Sequence, residues 1–434
     1  MHHQYTINLI FSLLIFSSFT NSGKAGLLEN ELDVISYNLT IEPDFYKGSI
    51  EGMVIIKFQI DPIVNFITLK AGDLLIDKVT GESVIEFKKT GQTLIIDLSE
   101  REKNENEIII NYHGNPKTGL FFHSAPAYVY TVYSTSHWMV CNDLPSDKAI
   151  LSLNIIAPKG KKCVASGELI EIQEKEEKTL FQWHQNYETP AYTYGFAIGN
   201  FNKTEEKSEA VLLEYFSENY SPEELSSIFK DTQNMLSFFE EKSGIEYYQT
   251  TYSQILIGDH YQEMSGFSVL KNIYGNMVLK DSTETNLISH ELAHQWWGNR
   301  ITCKRWSHFW LNEAFATYMS AAFNEYRFGK NKYLSDINAY LKVYEDIKKR
   351  DNDKPLVFRN WVNPSRDDRN LVYFKGAYVL HLLREEMGSE SFWKGIKFYS
   401  QKYFGRSVET IDFQKAMEES SGENLQTFFD KWVY

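Results

Sequence analysis

The first half of the chain carries short apolar runs that are rich in β-branched residues. Val54-Ile55-Ile56 and Ile108-Ile109-Ile110 are two such runs, and turn residues such as Ala71-Gly72-Asp73 lie between them. Apolar runs of strand length that alternate with turn residues are typical of antiparallel sheets. The pattern therefore predicts an antiparallel β-sandwich or saddle of sheets over residues 27–207.

The spacing of apolar residues lengthens to three and four after about residue 208, which is the period of a helix. Ser221, Pro222 and Glu224 have the order of a capping serine, a proline at the first helical position and a glutamate three residues after the cap. Helical spacing recurs from Ala314 to the C-terminus. We therefore predict a multidomain α+β protein in which the N-terminal β domain is followed by a mainly helical domain over residues 208–434.

The chain begins with an apolar stretch from Ile7 to Phe19 that is too short to cross a bilayer comfortably, and no later segment is apolar enough to do so. We interpret residues 1–22 as a signal peptide, which predicts a secreted or periplasmic protein. His2 and His3 stand where a signal peptide usually carries Lys or Arg. A retained N-terminal anchor is therefore the alternative, and only in that form do we expect contact with a membrane.

Acidic residues outnumber basic ones, with 58 Asp and Glu against 44 Lys and Arg and a net charge of −14. Such a chain repels phosphate backbones, so binding to nucleic acid through a broad basic surface is excluded. The three cysteines, Cys141, Cys163 and Cys303, include no CxxC pair. Their number and spacing exclude a disulfide framework and a zinc site built from thiolates.

The clearest chemical signal is His290-Glu291-Leu292-Ala293-His294, an HExxH motif. Residues four apart lie on one face of a helix, so both imidazoles can reach one ion, although a solvated helix face is the alternative for this motif alone. Glu313 follows His294 after eighteen residues, in an apolar helical context where an unpaired carboxylate would be costly to bury. Two histidines and a carboxylate leave one tetrahedral position open, as in catalytic zinc sites. We predict one Zn2+ ion held by His290, His294 and Glu313.

Zinc lowers the pKa of a bound water molecule towards neutrality. Glu291 lies next to His290 in the sequence but is not itself a ligand, so we predict that it takes the proton from that water as general base. The same chemistry needs a donor for the developing oxyanion, and the motif by itself names none.

The segment HELAHQWWGNR from His290 to Arg300, followed by WLNEAF around Glu313, resembles the aminopeptidase N-like gluzincin metallopeptidases. That family combines HExxH with a glutamate at this distance. Further segments resemble the family in its order: CNDLPSDKA at 141–149, YGFAIGNF at 194–201 and VYFKGA at 372–377. The resemblance extends from about residue 30 to the C-terminus. It implies a zinc aminopeptidase whose second domain is thermolysin-like.

The resemblance also assigns roles to Tyr373 and Glu263. Tyr373, in the family's Tyr-x-Lys-Gly segment, would donate its hydroxyl to the oxyanion, and packing in an apolar helix is the alternative for this residue. Glu263, in the stretch 260–267 that matches the family's exopeptidase loop, would bind the α-amine of a substrate, and a surface glutamate without that role is the alternative. Gly266 keeps its place in the loop, whereas the loop's first glycine, methionine and asparagine are absent. The expected substrates are peptides or oligopeptides with a free N-terminus.

Two departures from the family affect these expectations. Many relatives supply a glutamine or glutamate from the N-terminal domain, but residues 130–134 (YTVYS) contain neither, so we expect amine binding to depend more heavily on Glu263. Residues 424–434 resemble the end of the catalytic domain. We therefore expect the large helical domain of many relatives to be missing and the cleft to be open on that side.

Several other prominent residues are interpreted as surface or packing residues without a role in the site. His137 and His308 have no metal-binding spacing with one another. Trp296, Trp297, Trp306 and Trp310 follow the helical periodicity, which favours core positions over an aromatic substrate platform.

The leading hypothesis is a secreted or periplasmic zinc aminopeptidase. The enzymatic alternatives are an endopeptidase and an epoxide hydrolase like some relatives that use the same zinc site, and the expected lack of the helical domain disfavours the latter. A non-catalytic binding or scaffold protein is the third hypothesis. The intact residues of the predicted site disfavour it.

Overall fold

A computed structural model describes residues 32–100, 104–208, 210–358, 361 and 363–434. The predicted signal peptide at 1–22 and the predicted start of the β domain at residue 27 lie outside the described residues and stay predictions. The described chain is β-rich up to about residue 200 and largely helical further on.

Strands dominate the N-terminal region. They are β1 (Asp33–Asp44), β2 (Ser49–Gln59), β3 (Phe66–Lys70), β4 (Leu75–Thr80), β5 (Val84–Thr90), β6 (Thr93–Leu98), β7 (Glu105–Gly114), β8 (Leu120–Ser124), β9 (Ala127–Thr131), β10 (Lys148–Pro158), β11 (Lys162–Ala165), β12 (Glu168–Glu174), β13 (Lys178–Pro190) and β14 (Phe196–Gly199). They form sheets of the order β12-β13-β10-β1-β2-β7-β4, β3-β6-β5 and β11-β14-β9-β8.

The alternation of apolar and polar residues decides which face of these sheets meets the core. In β1, Leu39 and Ile41 are fully buried, whereas Asn38 between Tyr37 and Leu39 is exposed. The predicted fold class, a β domain followed by a helical domain, is confirmed. One pairing differs from an antiparallel sandwich, because β1 runs parallel to β10 over Ser36–Ile41. The long chain segment between these two strands supplies the crossover that a parallel pair requires.

The second region opens with a mixed sheet of the order β15-β16-β17-β19-β18. Its strands are β15 (Asn202–Ser208), β16 (Val211–Ser217), β17 (Thr251–Leu256), β18 (Gln262–Met264) and β19 (Phe267–Leu270), and a separate short pair consists of β20 (Thr302–Cys303) and β21 (Ser407–Val408). The sequence pattern did not anticipate this sheet, because over strands this short a period of two is hard to separate from a helical period. The predicted boundary at residue 207/208 falls inside the β15–β16 pair, so strand pairing favours a boundary near residue 200.

Helices form the rest of the second region. They are α1 (Pro222–Ile228), α2 (Thr232–Ser243), α3 (Tyr274–Lys280), α4 (Asn286–Ala293), α5 (Trp310–Phe328), α6 (Lys330–Lys349), α7 (Arg366–Asn370), α8 (Gly376–Met387), α9 (Ser389–Tyr403), α10 (Thr410–Ser421) and α11 (Gln426–Trp432). The predicted helix start is confirmed: the Ser221 hydroxyl accepts a hydrogen bond from Glu224 N at 3.2 Å, and Ser221 N donates to Glu224 Oε2 at 2.8 Å. None of the helices within the described ranges combines the length and the apolar composition that crossing a bilayer requires.

The core of the second region surrounds α4 and α5. Every residue from Trp310 to Asn324 is buried, and Trp296, Trp297 and Trp310 have no exposed surface, which confirms them as core residues. His308 packs between elements, with its Nδ1 atom 2.9 Å from Thr410 Oγ1. Cys141, Cys163 and Cys303 are all buried and form no disulfide.

Candidate active site

Helix α4 positions His290 and Glu291. Every residue from Leu287 to Ala293 is buried, so the HExxH helix runs through the core and is not a solvated surface helix. His294 directly follows the helix, and its backbone N–H donates to His290 O at 3.3 Å. The two imidazoles therefore keep the one-turn spacing that the motif predicts.

The structure brings the three predicted metal ligands together. His290 Nε2 and His294 Nε2 lie 3.1 Å apart. Glu313 lies in the first turn of α5, which packs against α4, and its Oε2 atom is 3.4 Å from His290 Nε2 and 3.5 Å from His294 Nε2. The three ligand atoms thus form a nearly equilateral triangle.

The triangle fits a single zinc ion. Ligand atoms about 2.0–2.1 Å from a tetrahedral zinc lie about 3.3–3.4 Å from one another. Glu313 Oε2 is buried and has no hydrogen-bond partner among the described residues, which costs free energy unless a cation compensates for it. Two imidazole nitrogens and one carboxylate oxygen are also a donor set of catalytic zinc sites.

Neighbouring polar groups orient both imidazoles towards the centre of the triangle. His294 Nδ1 lies 3.0 Å from the carbonyl oxygen of Trp297, so Nδ1 carries a proton and Nε2 is the nitrogen that faces the metal position. His290 Nδ1 lies 3.4 Å from Thr317 Oγ1, whose own hydrogen is donated to Glu313 O at 2.7 Å. The Thr317 oxygen is therefore an acceptor for His290, which leaves His290 Nε2 free to bind a metal.

The charges around the triad also favour a cation. Burial alone would lower the pKa of His294, but the surrounding carboxylates, Glu313 foremost, outweigh it and raise that pKa to about 10. Burial alone would raise the pKa of Glu313, but the charges and close contacts of His294 and His290 together outweigh burial and lower that pKa to about 2. The metal-free site thus holds a proton on His294, and a divalent cation on the same atoms would displace it.

A second group of polar atoms adjoins the triad and shares His294 with it. Carboxylate oxygens of Glu263 and Glu291 and a ring nitrogen of His294 all lie within 4.8 Å of one another. Glu263 is the middle residue of β18 and is buried, which is incompatible with its interpretation as a surface glutamate. Burial, supported by Glu313 and opposed by His294, raises the pKa of Glu263 to about 7. The sequence-predicted carboxylates therefore meet at one place beside the metal triad.

Tyr373 reaches the site from a π-helical turn, Leu371–Lys375, that precedes α8. Its ring lies nearly parallel to that of His290, with 5.9 Å between the ring centroids. Burial raises the pKa of the Tyr373 hydroxyl well above its ordinary value, and the negative charge of Glu313 adds to that shift. The hydroxyl therefore stays protonated at neutral pH.

Gly266 lies in the turn that joins β18 to β19. Its φ angle is +86°, and a Cβ atom at this position would lie 2.6 Å from Gln249 Oε1, so both backbone and space require glycine. Its N–H donates to Gln295 Oε1 at 3.1 Å, so a protein side chain already occupies this donor. The structure thus gives Gly266 a part in shaping the loop that carries Glu263.

Three polar residues that hold the same loop were missed by the sequence analysis: Tyr133, Gln262 and Gln295. The N–H of Tyr133 donates to Gln262 Oε1, and its hydroxyl donates to Tyr261 O. Gln262 Nε2 in turn donates to Tyr192 O at 2.8 Å. Both ends of the Gln262 amide thus bind backbone atoms of the N-terminal region. Tyr133 and Ser134 both have positive φ angles, of 49° and 44°, which the sequence does not reveal.

Two protein-family models match the chain. The model described as the Peptidase family M1 domain matches residues 228–432, and the model described as the Peptidase M1 N-terminal domain matches residues 34–193. Together the two matches cover both regions of the fold in the order in which the chain presents them.

Aminopeptidases are among the similar sequences. Aminopeptidase 2 of Candida albicans is 24% identical over 451 residues, which cover 94% of this chain and 47% of that protein. Leucyl aminopeptidase of Saccharolobus solfataricus is 22% identical over 427 residues, which cover 93% of this chain and 53% of that protein. This chain therefore spans about half the length of these two relatives.

Solved structures share the whole described fold. The crystal structure of the M1 zinc metallopeptidase from Deinococcus radiodurans superposes with a TM-score of 0.78 at 20% identity and covers 93% of each chain. A mutant of that enzyme bound to a Tyr-Ser-Ala substrate superposes with a TM-score of 0.78 at 21% identity, covering 93% of this chain and 94% of that one. At these identities the likeness establishes a common fold.

Proposed function

We propose that this chain, which belongs to the M1 family of peptidases, is a zinc-dependent aminopeptidase that removes residues from the N-terminus of peptides. The observation that carries the proposal is the buried carboxylate of Glu263, which adjoins the metal triad through His294. A carboxylate at that place would bind the charged amine of a peptide whose first carbonyl group lies at the metal.

Zinc is the cofactor that the family indicates. His290, His294 and Glu313 would hold it, because their ligand atoms already face one centre. When bound there, the ion would act as a Lewis acid, which polarises the scissile carbonyl group and makes a water molecule more acidic.

Glu291 is the residue that would move the proton. It is buried and lies beside His294, but it does not belong to the triangle of ligand atoms. Its carboxylate would accept a proton from the attacking water and pass it to the nitrogen of the departing peptide.

Tyr373 would stabilise the oxyanion that forms during attack. Its hydroxyl is kept protonated by its surroundings, and its ring is held against His290. A preorganised donor at the place where negative charge develops stabilises the transition state more than the substrate.

Glu263 would make the enzyme an exopeptidase. A buried carboxylate pairs well with a charged amine, whereas an internal peptide group at the same place would leave that carboxylate without a partner. Peptides with a free N-terminus are therefore the proposed substrates, and N-blocked peptides are disfavoured.

The test is hydrolysis of aminoacyl-amide dyes and of their N-acetylated equivalents, each with and without a metal chelator. The proposal expects cleavage of the free-amine substrate only, loss of that activity with chelator and its return with zinc. Cleavage of the N-acetylated substrate at an equal rate would contradict the proposal and indicate an endopeptidase. A zinc-loaded protein that cleaves neither substrate nor unblocked peptides would instead support a non-catalytic protein.

A further inference from the structure

We infer that Gln295 is a positioning residue that sets the distance between the metal triad and Glu263, and that it thereby determines the preference for a free amine. The inference rests on the proposed aminopeptidase function and deepens it. Gln295 would act through the hairpin that carries Glu263 and not through direct contact with metal or substrate.

The side chain of Gln295 forms hydrogen bonds to both sides of the hairpin turn next to Glu263. Its Nε2 atom donates to Met264 O at 3.0 Å, and its Oε1 atom accepts from Gly266 N at 3.1 Å. A further bond comes from the Tyr248 hydroxyl, which lies 3.3 Å from the same oxygen. Gln295 has no exposed surface, so water does not replace these partners.

Asn299 adds a bond from the same segment to Glu263 itself. Its Nδ2 atom donates to the carbonyl oxygen of Glu263 at 3.2 Å, and its own backbone N–H donates to His294 O at 2.9 Å. The segment that contains His294 therefore reaches β18 through two amide side chains. Both span short distances, so they tie the hairpin closely to the metal ligand.

The strand that carries Glu263 needs such support. β18 has only three residues and lies at the edge of its sheet, with β19 as its one neighbouring strand in the described part of the chain. A short edge strand has few backbone bonds of its own and opens easily. The bonds from Gln295 and Asn299 support this strand together with those that Tyr133 and Tyr192 make with Tyr261 and Gln262.

The position of the hairpin relative to the triad determines which substrates fit the site. Gln295 directly follows His294, so a shift of its amide moves the hairpin relative to the triad without changing the triad itself. An error of about 1 Å in the position of a binding group costs up to about a hundredfold in rate. We therefore expect changes at Gln295 to weaken recognition of the substrate amine while metal binding persists.

The experiment compares two hydroxamate inhibitors that have the same side chain, one with an α-amine and one without it. The ratio of their inhibition constants measures what the amine contributes. Gln295→Met keeps the length of the side chain and removes its hydrogen bonds, whereas Gln295→Glu keeps the acceptor for Gly266 and removes the donor to Met264. We expect the ratio to fall about tenfold to a hundredfold in the first variant and less in the second, with zinc content and inhibition by the amine-free compound little changed.

Gln254→Met is the matched control. Gln254 is also a fully buried amide in the same sheet, but its oxygen accepts from Thr232 Oγ1 at 2.8 Å and not from the hairpin. Hydrogen exchange of the metal-free protein gives a second measurement. The Gly266 amide is expected to exchange at least about tenfold faster in Gln295→Met than in the wild type, and to keep its wild-type rate in the control.

A ratio that stays at the wild-type value in Gln295→Met, or equal weakening of both inhibitors, would overturn the inference and leave the proposed function intact. If Gln295→Met does not fold, Gln295→Glu and Asn299→Ala decide between the same outcomes, because each removes a single bond to the hairpin. A wild-type protein that shows no preference for the amine-bearing inhibitor would overturn both the inference and the proposed function.

Discussion

His290, His294 and Glu313 are carried by two packed helices and the turn after one of them, whereas Glu263 is carried by a short strand at the edge of a sheet. Backbone hydrogen bonds within one helix set the spacing of His290 and His294, and almost any residue type can make those bonds, while the packing of α5 on α4 brings Glu313 to them. The position of Glu263 depends instead on particular side chains, among them Gln295 and Asn299. We therefore expect the metal half of the site, which is the triad with Glu291 and Tyr373, to tolerate sequence change around it better than the amine half, which is Glu263 on β18.

The two halves differ in what their loss is expected to do. The metal half supplies the chemistry, so damage to it abolishes turnover of every substrate. The amine half supplies recognition, so damage to it changes which substrates are used. Substitutions of single residues test this division, because each half can be damaged while the other is left intact.

The largest effect is expected for Glu291→Gln, since this residue moves the proton. We expect kcat to fall by about 10³–10⁴-fold while zinc remains bound at the wild-type ratio. Steady-state kinetics together with metal analysis check this, and Glu345→Gln on the exposed face of α6 is the control. A variant with near-normal kcat would remove Glu291 from the proton-transfer role.

Tyr373→Phe is expected to lower kcat by about 10²–10³-fold with a modest change in KM, because the lost hydroxyl acts in the transition state. Tyr378→Phe, on the helix that follows, is the control and should keep activity. Kinetics with one aminoacyl-amide dye suffice for both variants. A rise in KM with unchanged kcat would instead assign Tyr373 to substrate binding.

Glu263→Gln tests the amine half directly. We expect kcat/KM for free-amine substrates to fall by about 10–10²-fold, because a charge-assisted bond to the amine is lost. Zinc content and inhibition by an amine-free hydroxamate should not change. Loss of zinc from this variant would mean that Glu263 belongs to the metal half, and the division between the two halves would then fail.

The smallest effect is expected for Thr317→Val, which removes the acceptor for His290 Nδ1 but preserves the shape of the side chain. Zinc affinity is expected to fall about tenfold, as is usual when the partner of a metal-binding histidine is removed. Competition with a chromogenic chelator measures this, and kcat of the fully loaded variant should stay near the wild-type value. An unchanged affinity would show that the helices alone orient His290.

The sequence predicts the metal half well for a physical reason. His290 and His294 are four residues apart, and in a helix this local spacing alone places both side chains on one face. The nearness of Glu313 depends on how α5 packs on α4, and it was suggested by the apolar context and by the family resemblance. Tyr373 was predicted from resemblance alone, since its local pattern favours packing.

The amine half and its sheet were predicted less completely. The strands from β15 to β19 are too short to reveal their period, so a helical region was expected where the structure has a mixed sheet. Gln295 and Gly266 are 29 residues apart, and no local pattern marks such a tertiary bond. The bond from the Tyr133 hydroxyl to Tyr261 O likewise joins residues that are far apart in the sequence.

The most direct test of the central claim is zinc analysis of the purified protein and of five variants: His290→Ala, His294→Ala, Glu313→Ala, Glu263→Gln and Glu291→Gln. We predict about one zinc ion per chain in the wild type, the same ratio in the last two variants, and loss of the ion in the first three. A wild type without zinc, or zinc lost from Glu263→Gln and Glu291→Gln but retained by His290→Ala and Glu313→Ala, would contradict the account. The latter result would place the ion on the second group of polar atoms that shares His294.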